Sequence, residues 1–138
     1  MTDHSSSAHS SSAQSRPDQS RRARGRWGED RAAAHLVRCG FTIVERNWLV
    51  RRPDVRGEID IIARRTDQRS DLIVFCEVKA RKSAGYGGAA IAVDAAKQER
   101  LRLVAHLFLI ERGLADVDVR FDVIAITGNE LSHYEAAF

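Results

Sequence analysis

With 138 residues, 43% of them hydrophobic, the chain has material for one modest core and little else. No apolar run approaches the roughly 18 residues of a membrane span, and two cysteines, neither in a metal-ligand spacing, exclude a disulfide framework. The net charge of +3 belongs wholly to residues 1–26, where five Arg face two Asp, so residues 27–138 are neutral and the basic pI says nothing about the rest of the chain.

Residues 1–25 are rich in Ser, Ala, Gln and Arg and nearly devoid of large apolar side chains. Such a segment cannot bury enough surface to offset its ordering entropy, which predicts a disordered tail ahead of a domain spanning 26–138. Its Arg21-Arg22-Ala23-Arg24-Gly25-Arg26 end is suited either to loose phosphate contact or to plain solvation. No apolar leader precedes it, so the expected location is cytoplasmic, with no membrane partner.

Order is expected from Trp27 onward. Ala32, Ala33, Leu36 and Val37 recur at helical spacing between Gly28 and Cys39, with Gly40 as the stop. Phe41 to Val50 is β-branched and aromatic, predicting a strand that ends at the Arg-Arg-Pro-Asp turn. A second strand, Glu58 to Arg64, and a third, Leu72 to Arg81, flank a polar turn and read as a hairpin. Glycines at 85, 87 and 88 mark a loop, as a flap over substrate or a plain connection. Ala92 to Arg112 is the longest predicted helix, with Val93, Ala96, Leu101, Val104, Ala105 and Phe108 on its inner side. Val117 to Thr127 is a fourth strand, and Leu131 to Phe138 is left unassigned. The order αβββαβ predicts an α/β fold, a mixed sheet flanked by helices.

Two strands concentrate the chemistry. In Gly57-Glu58-Ile59-Asp60-Ile61-Ile62, alternation places Glu58 and Asp60 on one face and Ile59 and Ile61 on the other. Carboxylates so placed are costly to bury unless paired or metal-bound. Leu72 to Val78 is almost wholly apolar, the pattern of a central strand, yet Glu77 and Lys79 share one face near its end. A hard cation held by carboxylate oxygens keeps room for water and a phosphate oxygen. Asp60, Glu77 and the Val78 carbonyl are its candidate ligands, with Mg2+ or Mn2+ the expected cofactor. Lys79 is then placed to orient an attacking water and stabilise developing charge. A Glu-x-Lys pair decorating an exposed sheet face is the plain alternative. Against it, the chain has 19 Arg and only three Lys, at 79, 82 and 97, so Lys is the exception at this position.

Trp27-Gly28-Glu29-Asp30, Asn47-Trp48, Arg56-Gly57-Glu58-Ile59-Asp60-Ile61-Ile62, Phe75-Cys76-Glu77-Val78-Lys79-Ala80-Arg81 and Arg120-Phe121-Asp122-Val123 together resemble the YraN family. These are small, largely uncharacterised bacterial proteins. The resemblance covers residues 26–138 and implies a restriction-endonuclease-like core close to archaeal Holliday-junction resolvases. Asp60 followed by Glu77-Val78-Lys79 is similar to the PD-(D/E)XK nuclease signature, with Ile59 where its proline would stand. The resemblance also implies that Glu29 completes the metal site and that Gln98 is a polar active-site residue. A first-turn acid favoured by the helix dipole and a solvated helix face are the respective alternatives. Arg120 and Asp122 read equally as a salt-bridged strand pair.

Arg51, Arg52 and Arg56 lie in one loop, Arg64, Arg65 and Arg69 in another, and Arg81 and Lys82 follow the third strand. With Lys97, they are candidate phosphate contacts, and the absence of an aromatic platform or recognition helix favours backbone or shape recognition. The functional expectation is a Mg2+-dependent endonuclease acting on DNA, branched or junction-like, with a homodimer implied by analogy to junction resolvases. A nucleic-acid-binding module of the same fold that does not cut is the alternative.

Overall fold

The computed structural model describes residues 17–82 and 93–138, with side chains from residue 20 onward. Seven elements follow in order: α1 (Pro17–Arg38), β1 (Thr42–Arg51), β2 (Arg56–Thr66), β3 (Asp71–Arg81), α2 (Ala95–Glu111), β4 (Asp118–Thr127) and β5 (Glu130–Tyr134). The strands form one five-stranded mixed sheet in the order β1-β2-β3-β4-β5. Only β3 and β4 run parallel, because α2 carries the chain back between them, and every other neighbouring pair is antiparallel. No helix among the described residues is long and apolar enough to cross a membrane.

Burial on both faces explains why β3 is apolar throughout its first half. Val74 and Cys76 pack with Ala32 and Leu36 of α1, while Ile73 and Phe75 pack with Leu101, Val104 and Phe108 of α2. Two glycines set how closely the helices approach. A Cβ on Gly28 would stand 2.5 Å from the Ala80 Cβ, and one on Gly57 would stand 2.8 Å from a Val104 methyl. Gly28 brings the α1 backbone onto β3, Gly57 lets the β2 backbone lie under α2 side chains, and each carries the acid beside it, Glu29 or Glu58, to the same end of the sheet.

The structure differs from the sequence reading in several places. The helix expected from Gly28 begins at Pro17, a residue suited to a first helical turn. Its added turns are anchored by distant chain. The Arg24 guanidinium donates to the Arg81 carbonyl and, at 3.0 Å, to the Gly128 carbonyl, and the Arg24 and Arg31 guanidiniums lie over Trp27. The rest of the expected tail, 1–16, and the glycine loop at 85–88 lie outside the described residues. Ala96 is exposed in the first turn of α2, not on its inner side. The unassigned C-terminal segment supplies the short β5 against β4.

The alternation expected in β2 is also broken. Ile61 packs in the α1 core and Ile59 in the α2 core, although two residues apart in one strand should share a face. Their partners follow them. Arg46, opposite Ile61, bonds Asp30 of α1 at 2.7 Å, while Trp48, opposite Ile59, packs edge-on against Phe108 of α2. Both strands thus turn over at Asn47 and Asp60, and Asn47 takes a left-handed φ of 52° to do so.

The close approach at Gly28 predicts opposite outcomes for two substitutions in one helix. Gly28→Ala is expected to lower stability by about 1–3 kcal/mol, since backbone or the Ala80 side chain must give way. Gly25→Ala, where a Cβ meets nothing within 4 Å, is expected to raise it by up to about 1 kcal/mol. Chemical denaturation of the two variants checks the difference, and a Gly28→Ala protein as stable as its Gly25→Ala counterpart refutes the packing argument.

Candidate metal centre

Strand register decides whether the two acids meet. The β2–β3 ladder runs from Thr66↔Asp71 to Ile61↔Cys76, so one more step brings Asp60 to Glu77. There the ladder stops, and β3 continues beside β4 while β2 continues beside β1. At this fork the Val78 N–H donates to Asp60 Oδ2 at 2.8 Å, a side-chain acceptor replacing a strand carbonyl. Asp60, Glu77 and Val78 are therefore brought together by direct contact and neighbouring register.

Charge at the fork is unbalanced toward the negative. Burial pushes the Asp60 carboxyl up to about 7, and the nearby Glu77, Glu29 and Glu58 push the same way, against the Val78 hydrogen bond. Glu77, only 11% exposed, faces α2, where the Lys97 ammonium sits on its Oε1. Glu29 reaches the fork from α1, accepting from Asn47 Nδ2 at 3.1 Å with Arg46 at 3.8 Å. Lys79 follows Glu77 by two residues on the α2 side. Its pKa is lowered, first by burial and then by the Lys97 charge. A cluster of half-buried carboxylates, Asp60, Glu77 and Glu29, with one proton held near neutrality is a donor set that fits a hard divalent cation.

The other residues expected at the site are distributed as follows. Gln98 donates to the Val93 carbonyl at 2.7 Å, bracing the start of α2 beside the Asp94 N-cap, rather than to an acid. Antiparallel pairing puts Arg51, Arg52 and Arg56 at the same end of the sheet as Asp60, and β3 delivers Arg81 and Lys82 to that end as well. The first three line an open groove of about 680 Å3 with Leu49 and Pro53. Arg64 and Arg65 lie in β2 rather than in a loop, at the opposite end. Arg64 is committed to Asp71 at 2.6 and 2.8 Å, and Arg65 covers the Phe41 ring. Arg120 does pair with Asp122, through two bonds of 2.8 Å.

Asn47 is the site residue that sequence reasoning passed over. It stands between the pairs Arg46↔Ile61 and Trp48↔Ile59, hence opposite Asp60, and its amide holds Glu29. An Asn inside an otherwise β-forming run is the signal that was available, because Asn tolerates a left-handed φ better than other non-glycine residues.

The model of the uncharacterised protein family UPF0102 matches residues 28–126. A UPF0102 protein of Desulforapulum autotrophicum is 50% identical over 102 residues, 74% of this chain and 78% of that protein. One from Methylibium petroleiphilum is 43% identical over 119 residues, 85% of this chain and 94% of its own length. One from Rhodococcus jostii is 46% identical over 104 residues, covering 75% of this chain and 81% of that protein. The chain belongs to UPF0102. This is the YraN family of the resemblance, and the matched span of this UPF0102 protein includes both Asp60 and Glu77-Val78-Lys79.

Asp60 ties stability to pH. The unfolded chain loses this proton near the ordinary carboxylate range and the folded chain near 7, so folding takes up a proton in between. Stability of the metal-free protein should then fall as pH rises through that window, by at most about 1.4 kcal/mol per pH unit. Asp60→Asn is expected to flatten the slope and raise the thermal midpoint at pH 8. Melting curves in chelator from pH 5 to 8 check this, and equal slopes in the two proteins contradict it.

Proposed function

We propose that this UPF0102 protein is a divalent-metal-dependent nuclease with a restriction-endonuclease-like core, hydrolysing DNA phosphodiester bonds in branched or junction-like substrates. The observation that carries the reading is the fork between β2 and β3, where Asp60, Glu77 and the Val78 backbone converge and Asp60 is pushed up to about 7, first by burial and then by its acidic neighbours. A mixed sheet with a helix on each face agrees with such a core.

Asp60, Glu77 and the Val78 carbonyl would hold the cation, with Glu29 completing the set from α1. Bound Mg2+ or Mn2+ supplies Lewis-acid polarisation of the phosphate and a more acidic water. The Val78 N–H keeps Asp60 turned into the fork. Lys79, on the Glu77 side of β3, orients the nucleophile and meets charge developing on the phosphate. Asn47 positions Glu29, and Gln98 fixes the start of α2, from which Lys97 reaches the site. Arg51, Arg52, Arg56, Arg81 and Lys82 lie where they can hold the flanking phosphates, a contact that positions a duplex without reading its bases.

One observation favours a second reading. The Lys97 ammonium already occupies Glu77, neutralising it as a cation would. If that pair persists, the protein is a DNA-binding module that holds phosphates without cutting them. For catalysis, Lys97 must leave Glu77, and Lys97→Met should then tighten Mg2+ binding.

Labelled duplex, flap and four-way-junction DNA incubated with Mg2+ or Mn2+ separates these readings. Wild type is expected to cut, and Glu77→Ala to lose at least about a hundredfold in rate. Lys79→Ala should keep metal affinity but lose cleavage, and Ca2+ should support DNA binding without efficient cleavage because it prefers more ligands in looser geometry. Binding without cutting by the wild type establishes the module instead. If it neither binds nor cuts, both readings fall.

A further inference from the structure

A second group of ligating side chains lies on the other side of the sheet. His35 in the last turn of α1, Cys39 just beyond it and His133 on β5 place one donor atom each within 4.8 Å of one another. His35 Nε2 lies 3.1 Å from His133 Nδ1 and 3.6 Å from Cys39 Sγ. Nitrogen and sulfur ligands at ordinary zinc bond lengths of about 2.0 and 2.3 Å stand about 3.3 Å (N to N) and about 3.6 Å (N to S) apart around a tetrahedral ion. The two spacings observed are close to those values.

Each donor is held by structure that does not depend on an ion. Cys39 is the last residue before Gly40, whose φ of 91° closes the helix. Gly40 N–H bonds the Val37 carbonyl and Phe41 N–H the Leu36 carbonyl, a glycine-terminated helix end that fixes where the thiol stands. His133 pairs with Ile124 across β4–β5, and its Nε2 meets Asp122 Oδ2 at 2.7 Å. Asp122 is fully buried and also takes two bonds from Arg120 and one from the Ala136 N–H, so it is a fixed carboxylate. With the Nε2 proton committed to Asp122, the His133 lone pair sits on Nδ1, directed at His35. A carboxylate behind an imidazole in this way sets the tautomer of metal-ligating histidines.

We infer that His35, Cys39 and His133 form a binding site for Zn2+ or a similar borderline divalent ion, clipping the end of α1 to the last strand. Two imidazoles and a thiolate are softer donors than the carboxylates of the β2–β3 fork, so this site selects Zn2+ or Co2+ and rejects Mg2+ and Ca2+. The thiolate offsets one charge of the ion, while the Asp122 carboxylate, already paired with Arg120, holds His133 from behind. Water fills the fourth position, since Cys39 lies at the surface. Arg65, bonded to the Cys39 carbonyl at 3.4 Å, ties β2 to this helix end. Without an ion, the His35 Nε2 hydrogen serves His133 and leaves Cys39 only a weak contact. An ion satisfies all three donors at once.

The full-length chain, stripped of metal and held in saturating Mg2+ to block the carboxylate site, is titrated with Co2+. A near-ultraviolet thiolate-to-cobalt band should appear, saturate at one ion per chain, and vanish when Zn2+ is added. Cys39→Ser should abolish the band while leaving the far-ultraviolet circular dichroism and metal-free thermal midpoint unchanged. His35→Ala should weaken Co2+ binding by at least about tenfold, and Glu77→Ala should leave the band intact. Zn2+ should raise the thermal midpoint of the wild type but not of Cys39→Ser. No band in the wild type, a band that survives Cys39→Ser, or one indifferent to His35→Ala overturns the inference.

Discussion

One hydrogen bond sits where the sheet divides, from the Val78 N–H to the Asp60 carboxylate. A central strand that loses its neighbour leaves backbone donors without partners, each worth about 1–3 kcal/mol if buried and unmet. Here a side chain from the departing strand takes that role, so β2 and β3 can part without orphaning Val78. The same carboxylate is then held away from water among Glu77, Glu29 and Glu58, and burial first, then these charges, raises its pKa. Architecture and electrostatics meet in a single group: the residue that permits the fork also gathers the acids around it.

The two helices are fitted to this arrangement from either side. Gly28 lets α1 settle onto Ala80, and Gly57 lets Val104 of α2 settle onto β2. Since Glu29 and Glu58 directly follow those glycines, close packing and acid placement are one requirement rather than two. Lys97, one turn into α2, is then in reach of Glu77 because the Asp94 cap and Gln98 hold the helix start in place.

Much of this was legible in the chain before any coordinates. The apolar run from Leu72 to Val78 ending in Glu77 and Lys79 marked a buried strand carrying charge, and β3 is that strand. Gly40 was legible as the stop of α1, but the close approaches at Gly28 and Gly57 were not. Pairing register was not either, because a hairpin with a four-residue turn does not by itself say which residue faces which six positions away, where Asp60 meets Glu77. Alternation misplaced Ile59 because it assumes a regular strand, and the turnover at Asn47 and Asp60 occurs in two strands together. The first turns of α1 were invisible for another reason. Their composition is that of a solvated tail, and what holds them comes from Arg81 and Gly128, far along the chain. His35 and Cys39 stand one helical turn apart, but His133, 98 residues from His35, joins them only through the fold.

The outermost strands bear on how this molecule behaves in company. β5 is five residues long, and β1 carries a bulge between Ile43 and Glu45 and the left-handed Asn47, with Arg46 and Arg51 at its surface. Short, kinked or charged margins offer few consecutive amides in line, which makes them poor templates for an invading strand. The sheet is therefore guarded against growing from molecule to molecule into a fibre. The irregularity that serves the acid cluster also protects the open flank of β1.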